Sequence, residues 1–148
     1  MRKPPSRAAS PAIVLFAHGA RDAQWAQPFR KIQRTIIKKK PGTAVGLAFL
    51  EIMEPPLADA IAKLVKAGHK RITVAPLFMA QGGHMKQDLP RLLDAIRGDH
   101  PGTEILLLPA IGDVDAILEA ISDWLVSAVQ TKAGTETPRP PRPPRKSA

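Results

Sequence analysis

The sequence predicts an α/β fold: a four-stranded parallel sheet with helices on both faces, followed by a disordered, basic, proline-rich tail. Three observations predict it. Strand-like and helix-like segments alternate four times between residues 12 and 129. The first and third strand-like runs are apolar throughout, as strands are when helices cover both faces of a sheet. The chain is 148 residues long and 44% hydrophobic, which suits one folded domain with a genuine core.

The elements follow in order. Residues 12–17 read as the first strand and 23–39 as the first helix, with Trp25, Phe29, Ile32 and Ile36 on one face; Pro41-Gly42 stops it. The second strand, 44–50, runs into Glu51. Pro55-Pro56 then opens a second helix that buries Leu57, Ile61, Leu64 and Val65 and stops at Gly68. The third strand is 71–77. The third helix is placed at about 88–97, where Leu89, Leu92, Leu93 and Ile96 face inward and Pro90 fits only in the first turn. Residues 104–108 make the fourth strand. The last helix, 113–129, is expected to bury Val114, Ile117, Leu118, Ile121 and Leu125. Right-handed crossovers between parallel strands complete the topology.

The domain is therefore expected at 11–129, between a basic extension at 1–10 and a tail at 130–148. Residues 138–145 hold five prolines, which block helix and sheet and favour extended polyproline II. The net charge of +9 sits mainly in these ends: residues 1–9 contribute +3 and 130–148 contribute +4, which leaves +2 for the middle. The few aromatic residues fall at core-like positions rather than among the cations, so no nucleic-acid partner is expected. No apolar run is long enough to span a membrane or to form a signal-peptide core. Without cysteine, any metal ion must take nitrogen and oxygen donors. A cytoplasmic location is the expectation.

His18 and His84 each follow an apolar strand, in glycine-containing loops that the parallel topology delivers to the carboxyl edge of the sheet, where open α/β folds bind ligands. Glu51 follows the second strand. It lies 33 residues after His18 and 33 before His84, one βα unit in each direction. A carboxylate at the end of a buried strand needs a cation or hydrogen-bond donors, and a metal ion would supply the first. Glu54 fits better as a carboxylate at the following helix N-terminus. Two imidazoles and a carboxylate, with positions left open, suit Co²⁺, Fe²⁺, Ni²⁺ or Zn²⁺ rather than the all-oxygen shells of calcium and magnesium. Gly82 and Gly83 would let the backbone approach a bulky ligand. Arg21 and Lys86 could bind its carboxylates. His69 and His100 precede strands, at the opposite edge, and read as surface turn residues.

The stretches Phe49-Leu50-Glu51-Ile52-Met53-Glu54-Pro55-Pro56-Leu57 and Val74-Ala75-Pro76-Leu77-Phe78-Met79-Ala80-Gln81-Gly82-Gly83-His84-Met85-Lys86-Gln87-Asp88-Leu89-Pro90 resemble the short sirohydrochlorin cobaltochelatases and ferrochelatases, small members of the class II tetrapyrrole chelatases. Ala17-His18-Gly19-Ala20-Arg21-Asp22 resembles their first-strand motif, although many members carry serine or threonine where this chain has Ala20. The resemblance covers about residues 12–125. It implies a single chelatase-like lobe, with His18 and His84 as metal ligands or proton acceptors and Glu51 assisting. It also implies insertion of Co²⁺ or Fe²⁺, or of Ni²⁺, into sirohydrochlorin for cobalamin or siroheme. The metal is then substrate, and a short lobe completes its cleft by forming a homodimer. No organic cofactor is expected, and no Gly-Lys-Ser/Thr loop for ATP is present.

Two rival readings stand beside the chelatase. A carrier of metal or tetrapyrrole would use the same pocket without turnover. His18-Gly19-Ala20-Arg21 also resembles the histidine phosphatases, but those place an arginine immediately before the histidine, where this chain has Ala17.

Overall fold

Apolar runs bounded by proline or glycine become the strands of a parallel sheet. In the computed structural model, which describes residues 10–130, these are β1 (Ala12–Ala17), β2 (Ala44–Phe49), β3 (Arg71–Pro76) and β4 (Glu104–Leu107). Their order across the sheet is β2-β1-β3-β4, with every neighbouring pair parallel. The helices are α1 (Gln27–Lys39), α2 (Leu57–Lys66), α3 (Gly83–Asp99) and α4 (Asp115–Gln130). A 3-10 turn at Ala23–Ala26 leads into α1; the Asp22 carboxylate caps it by accepting the Gln24 amide at 2.8 Å. Apart from Ser10 and Gln130, the expected extension and tail lie outside the described residues. Among the described residues no helix is long and apolar enough to cross a membrane.

Side chains alternate across each strand, so the two faces can be told apart by parity. Ala12, Val14 and Phe16 of β1, with Ile72 and Val74 of β3, pack against Leu57, Ala60 and Ile61 of α2 and Leu89, Leu93 and Ile96 of α3. Ala17, Leu47 and Phe49 face the other way and meet Trp25, Ala26 and Phe29. Thus α2 and α3 share one face and α1 lies on the other. The outermost strands are tied down by side chains from the helices. Gln33 of α1 donates to the Val45 carbonyl at 2.7 Å, and Arg97 of α3 donates to the Ile105 carbonyl through Nε and Nη2 at 3.0 and 2.8 Å.

Several expectations need correction. Strand β3 is not buried on both sides: Ile72, Val74 and Pro76 are buried, whereas Thr73 and Ala75 are only half-buried. The third helix starts at Gly83, not near residue 88, so Gly83 and His84 are helical and Pro90 lies well inside. Pro90 is exposed there; its missing amide leaves the Lys86 carbonyl without a helical donor. His69 is buried rather than a surface residue, and its Nδ1 lies 3.2 Å from the Ser10 carbonyl.

The described residues part after Val114 into two compact units, the second of which consists of α4. In α4, Ile117, Ile121 and Leu125 recur at four-residue spacing, as do Asp115, Glu119 and Asp123. The expected burial is not found: Val114, Ile117 and Ile121 are half-buried, and Leu118 and Leu125 are exposed. Helical periodicity determines which side chains share a face, but it does not supply a surface to cover them.

Among the described residues one buried polar atom is unmatched. The Thr43 hydroxyl, just before β2, has no hydrogen-bond partner among the described residues. Valine keeps the branched shape and removes the unsatisfied oxygen, so Thr43→Val is expected to stabilise the fold by about 1 kcal/mol. A urea unfolding midpoint that fails to rise would contradict this.

Candidate active site

Strands β1 and β3 are neighbours, yet the helices that follow them lie on opposite faces of the sheet. The chain diverges at their carboxyl ends, and ligands bind at such a point in open α/β sheets. His18 is the first residue beyond β1. Its ring leans on Phe78, with centroids 4.4 Å apart, and Phe78 packs edge-on against Phe16 at 5.4 Å. Phe78 is buried while His18 is exposed. The imidazole thus stands on a rigid apolar support with its polar atoms accessible. Phe78 is a site residue that the sequence does not single out; its place in the loop after β3 is the available signal.

Pairing continues past the ends of β1 and β2. The Leu50 amide donates to the Ala17 carbonyl at 2.9 Å, and the Glu51 amide donates to the His18 carbonyl at 3.0 Å. The backbones of His18 and Glu51 are therefore adjacent. Gly19 follows at φ +93, where a Cβ would overlap the Glu51 carbonyl oxygen. Residues 50–55 then leave the sheet and return, closed by the Phe49 amide donating to the Pro55 carbonyl at 2.9 Å.

Within that excursion the Met53 amide donates to the Glu51 carbonyl at 2.7 Å, which closes a γ-turn over Ile52 at φ +70. Among the described residues Ile52 is the one non-glycine with positive φ. For a β-branched residue this is an outlier whose strain is about 1–3 kcal/mol. The Ile52 side chain is nonetheless 63% exposed.

His84 occupies the first turn of α3 and is exposed; Gly82 is that helix's N-cap and Gly83 its first residue. A Cβ added at either glycine would meet no atom within 4 Å, so the chain's own packing does not demand glycine there. Arg21, Glu51, Glu54 and Lys86 are all exposed. Among the described residues no three His, Asp or Glu side chains are gathered within reach of one metal ion. The sheet thus brings His18 and Glu51 together through their backbones, and it leaves His84 on a separate element.

The order of the elements is matched by a family. Residues 12–128 match the CbiX family model, from the first residue of β1 nearly to the end of α4. The chain belongs to the CbiX family. Its relatives include the sirohydrochlorin cobaltochelatase of Methanocaldococcus jannaschii, 34% identical over 89 residues that cover 60% of this chain and 62% of that protein. The sirohydrochlorin cobaltochelatase of Saccharolobus islandicus is 33% identical over 122 residues, covering 79% and 91%. The match therefore spans less than two thirds of the methanogen protein's length and nearly all of the second. A crystal structure of a CbiX protein from Marinobacter aquaeolei superposes with a TM-score of 0.69 at 30% identity, covering 81% of this chain and 98% of that one.

Proposed function

We propose that this chain inserts a divalent metal ion, Co²⁺ or Fe²⁺ with Ni²⁺ as a third candidate, into sirohydrochlorin. The observation that carries this reading is the CbiX match across the whole α/β fold, including the segments that hold His18, Glu51 and His84. Relatives named sirohydrochlorin cobaltochelatase support the choice of ring and metal.

Insertion requires that the metal exchange its ligands for ring nitrogens while the inner pyrrole N–H protons leave. His18 and His84 serve as metal ligands or proton acceptors, and Glu51 assists. An ion in transit needs donors that release it, so an open set of imidazole and carboxylate groups suits the task better than a closed cage. Phe78 holds the His18 ring in place, which limits the freedom lost on ligation. Arg21, Lys86 and the unpaired amides at the start of α3 bind peripheral carboxylates of the ring. Gly82 and Gly83 leave room for the macrocycle beside that helix start. Residues 11–129 are the working domain. The protein acts in the cytoplasm as a homodimer, with no organic cofactor and no nucleic-acid or membrane partner.

Anaerobic spectrophotometry of sirohydrochlorin with Co²⁺, with and without the full chain, tests the reading. We expect the protein to accelerate the spectral change of metallation. Tight binding of ring or metal without acceleration by Co²⁺, Fe²⁺ or Ni²⁺ would replace the chelatase with a carrier.

A further inference from the structure

Burial does not account for the strained isoleucine beside the site. Ile52 adopts φ +70 in a γ-turn, yet its side chain is 63% exposed, so the conformation does not serve to bury it. Two other large apolar side chains are exposed at the carboxyl edge: Met79, 55% exposed, in the loop after β3, and Leu108, 46% exposed, directly after β4. Hence β2, β3 and β4 are each followed by an exposed apolar residue, while β1 is followed by His18. Neighbouring strands lie about 4.8 Å apart, so the ends of β2 and β4 stand roughly 14 Å from each other. A four-pyrrole ring can cover that width.

We infer that Ile52 is a substrate-contact residue whose γ-turn presents an apolar side chain to one face of the macrocycle, with Met79 and Leu108 extending the same apolar rim. The inference rests on the chelatase reading and deepens it. A tetrapyrrole with peripheral carboxylates has apolar faces and an anionic border. Cations such as Arg21 and Lys86 match the border but offer nothing to the faces. Exposed apolar side chains near the metal-handling loops match the faces, and their contact with the ring removes from water surface that the free protein leaves wet. The turn closes directly after Glu51, whose amide is bonded to the His18 carbonyl, so Ile52 is fixed relative to His18 through backbone alone. A ring seated on Ile52 is thereby held in register with the imidazole.

The test uses the full chain and metal-free sirohydrochlorin, with affinity read by absorbance titration and stability by urea unfolding. Glycine accepts positive φ without strain, and asparagine tolerates it better than isoleucine does. Ile52→Gly and Ile52→Asn are each expected to weaken sirohydrochlorin binding about tenfold. Ile52→Gly should also leave the urea midpoint unchanged or higher, a combination that a purely structural role would not give. Ile52→Leu should bind within about threefold of the intact chain, since it keeps the apolar bulk. Intact-like affinity in both the glycine and asparagine variants would overturn the inference while leaving the chelatase reading standing. So would a clear fall in the urea midpoint of Ile52→Gly. An intact protein that neither binds sirohydrochlorin nor accelerates its metallation overturns the chelatase reading, and this inference with it.

Discussion

Replacing His18 by alanine is expected to slow Co²⁺ insertion into sirohydrochlorin by about 100-fold or more while the chain still folds. The fold should tolerate the change because the bond that joins this loop to the next uses the His18 carbonyl, not its ring. What is lost structurally is the ring contact with Phe78, worth about 0.5–1.5 kcal/mol. His84→Ala is expected to reduce the rate similarly, at smaller structural cost, since alanine favours a helix and His84 is exposed in the first turn of α3. Initial rates over a range of Co²⁺ and of ring concentrations would separate the roles. A lost ligand raises the metal concentration needed for half-maximal rate, whereas a lost proton acceptor lowers the maximal rate at saturating metal. Rates unchanged in both variants would refute the site assignment and leave the fold intact.

Gly19→Ala is expected to destabilise the fold by about 2–4 kcal/mol and to abolish most activity. Two effects combine in it. Gly19 sits at φ +93, where an L side chain is strained, and the added Cβ would overlap the carbonyl oxygen of Glu51. The obstructing atom belongs to the backbone of a paired segment, so it cannot swing aside as a flexible side chain could. Relief would require the loop after β1 to separate from the loop after β2, which breaks the contact between the His18 and Glu51 backbones. Alanine at Gly82, where nothing lies within 4 Å of the added carbon, is the matched control for stability. Equal urea midpoints for the two variants would show that the close approach to Glu51 has no energetic weight.

The alternation of strands and helices was legible because each strand is an apolar run bounded by proline or glycine. The equal spacing of His18, Glu51 and His84 reflects that each follows a strand of the parallel sheet. It could not say where the side chains point, and His84 proves to ride on a helix rather than a loop. The start of α3 was misplaced because glycine propensity argues for a loop, whereas Gly82 at the N-cap and Gly83 at the first position are both permissible in a helix start. Pro90 reinforced the error, since it was assigned to a first turn that lies further back. The γ-turn at Ile52 was invisible for a different reason. Nothing in the local sequence favours positive φ at an isoleucine, and the γ-turn is visible only in the bond from the Met53 amide to the Glu51 carbonyl.

The bonds at the two outer strands bear on how copies of this chain can meet. Strand addition needs a row of free amides and carbonyls along an edge. On β2 the outward Val45 carbonyl is taken by Gln33 and the Phe49 amide by Pro55; on β4 Arg97 holds the Ile105 carbonyl with two donors. Lateral growth into a continuous intermolecular sheet, whether an ordered eight-stranded dimer or a fibril, would first have to strip these partners away. Self-association of this protein is thereby directed toward helices and loops, and the same protection guards a concentrated solution against edge-to-edge aggregation.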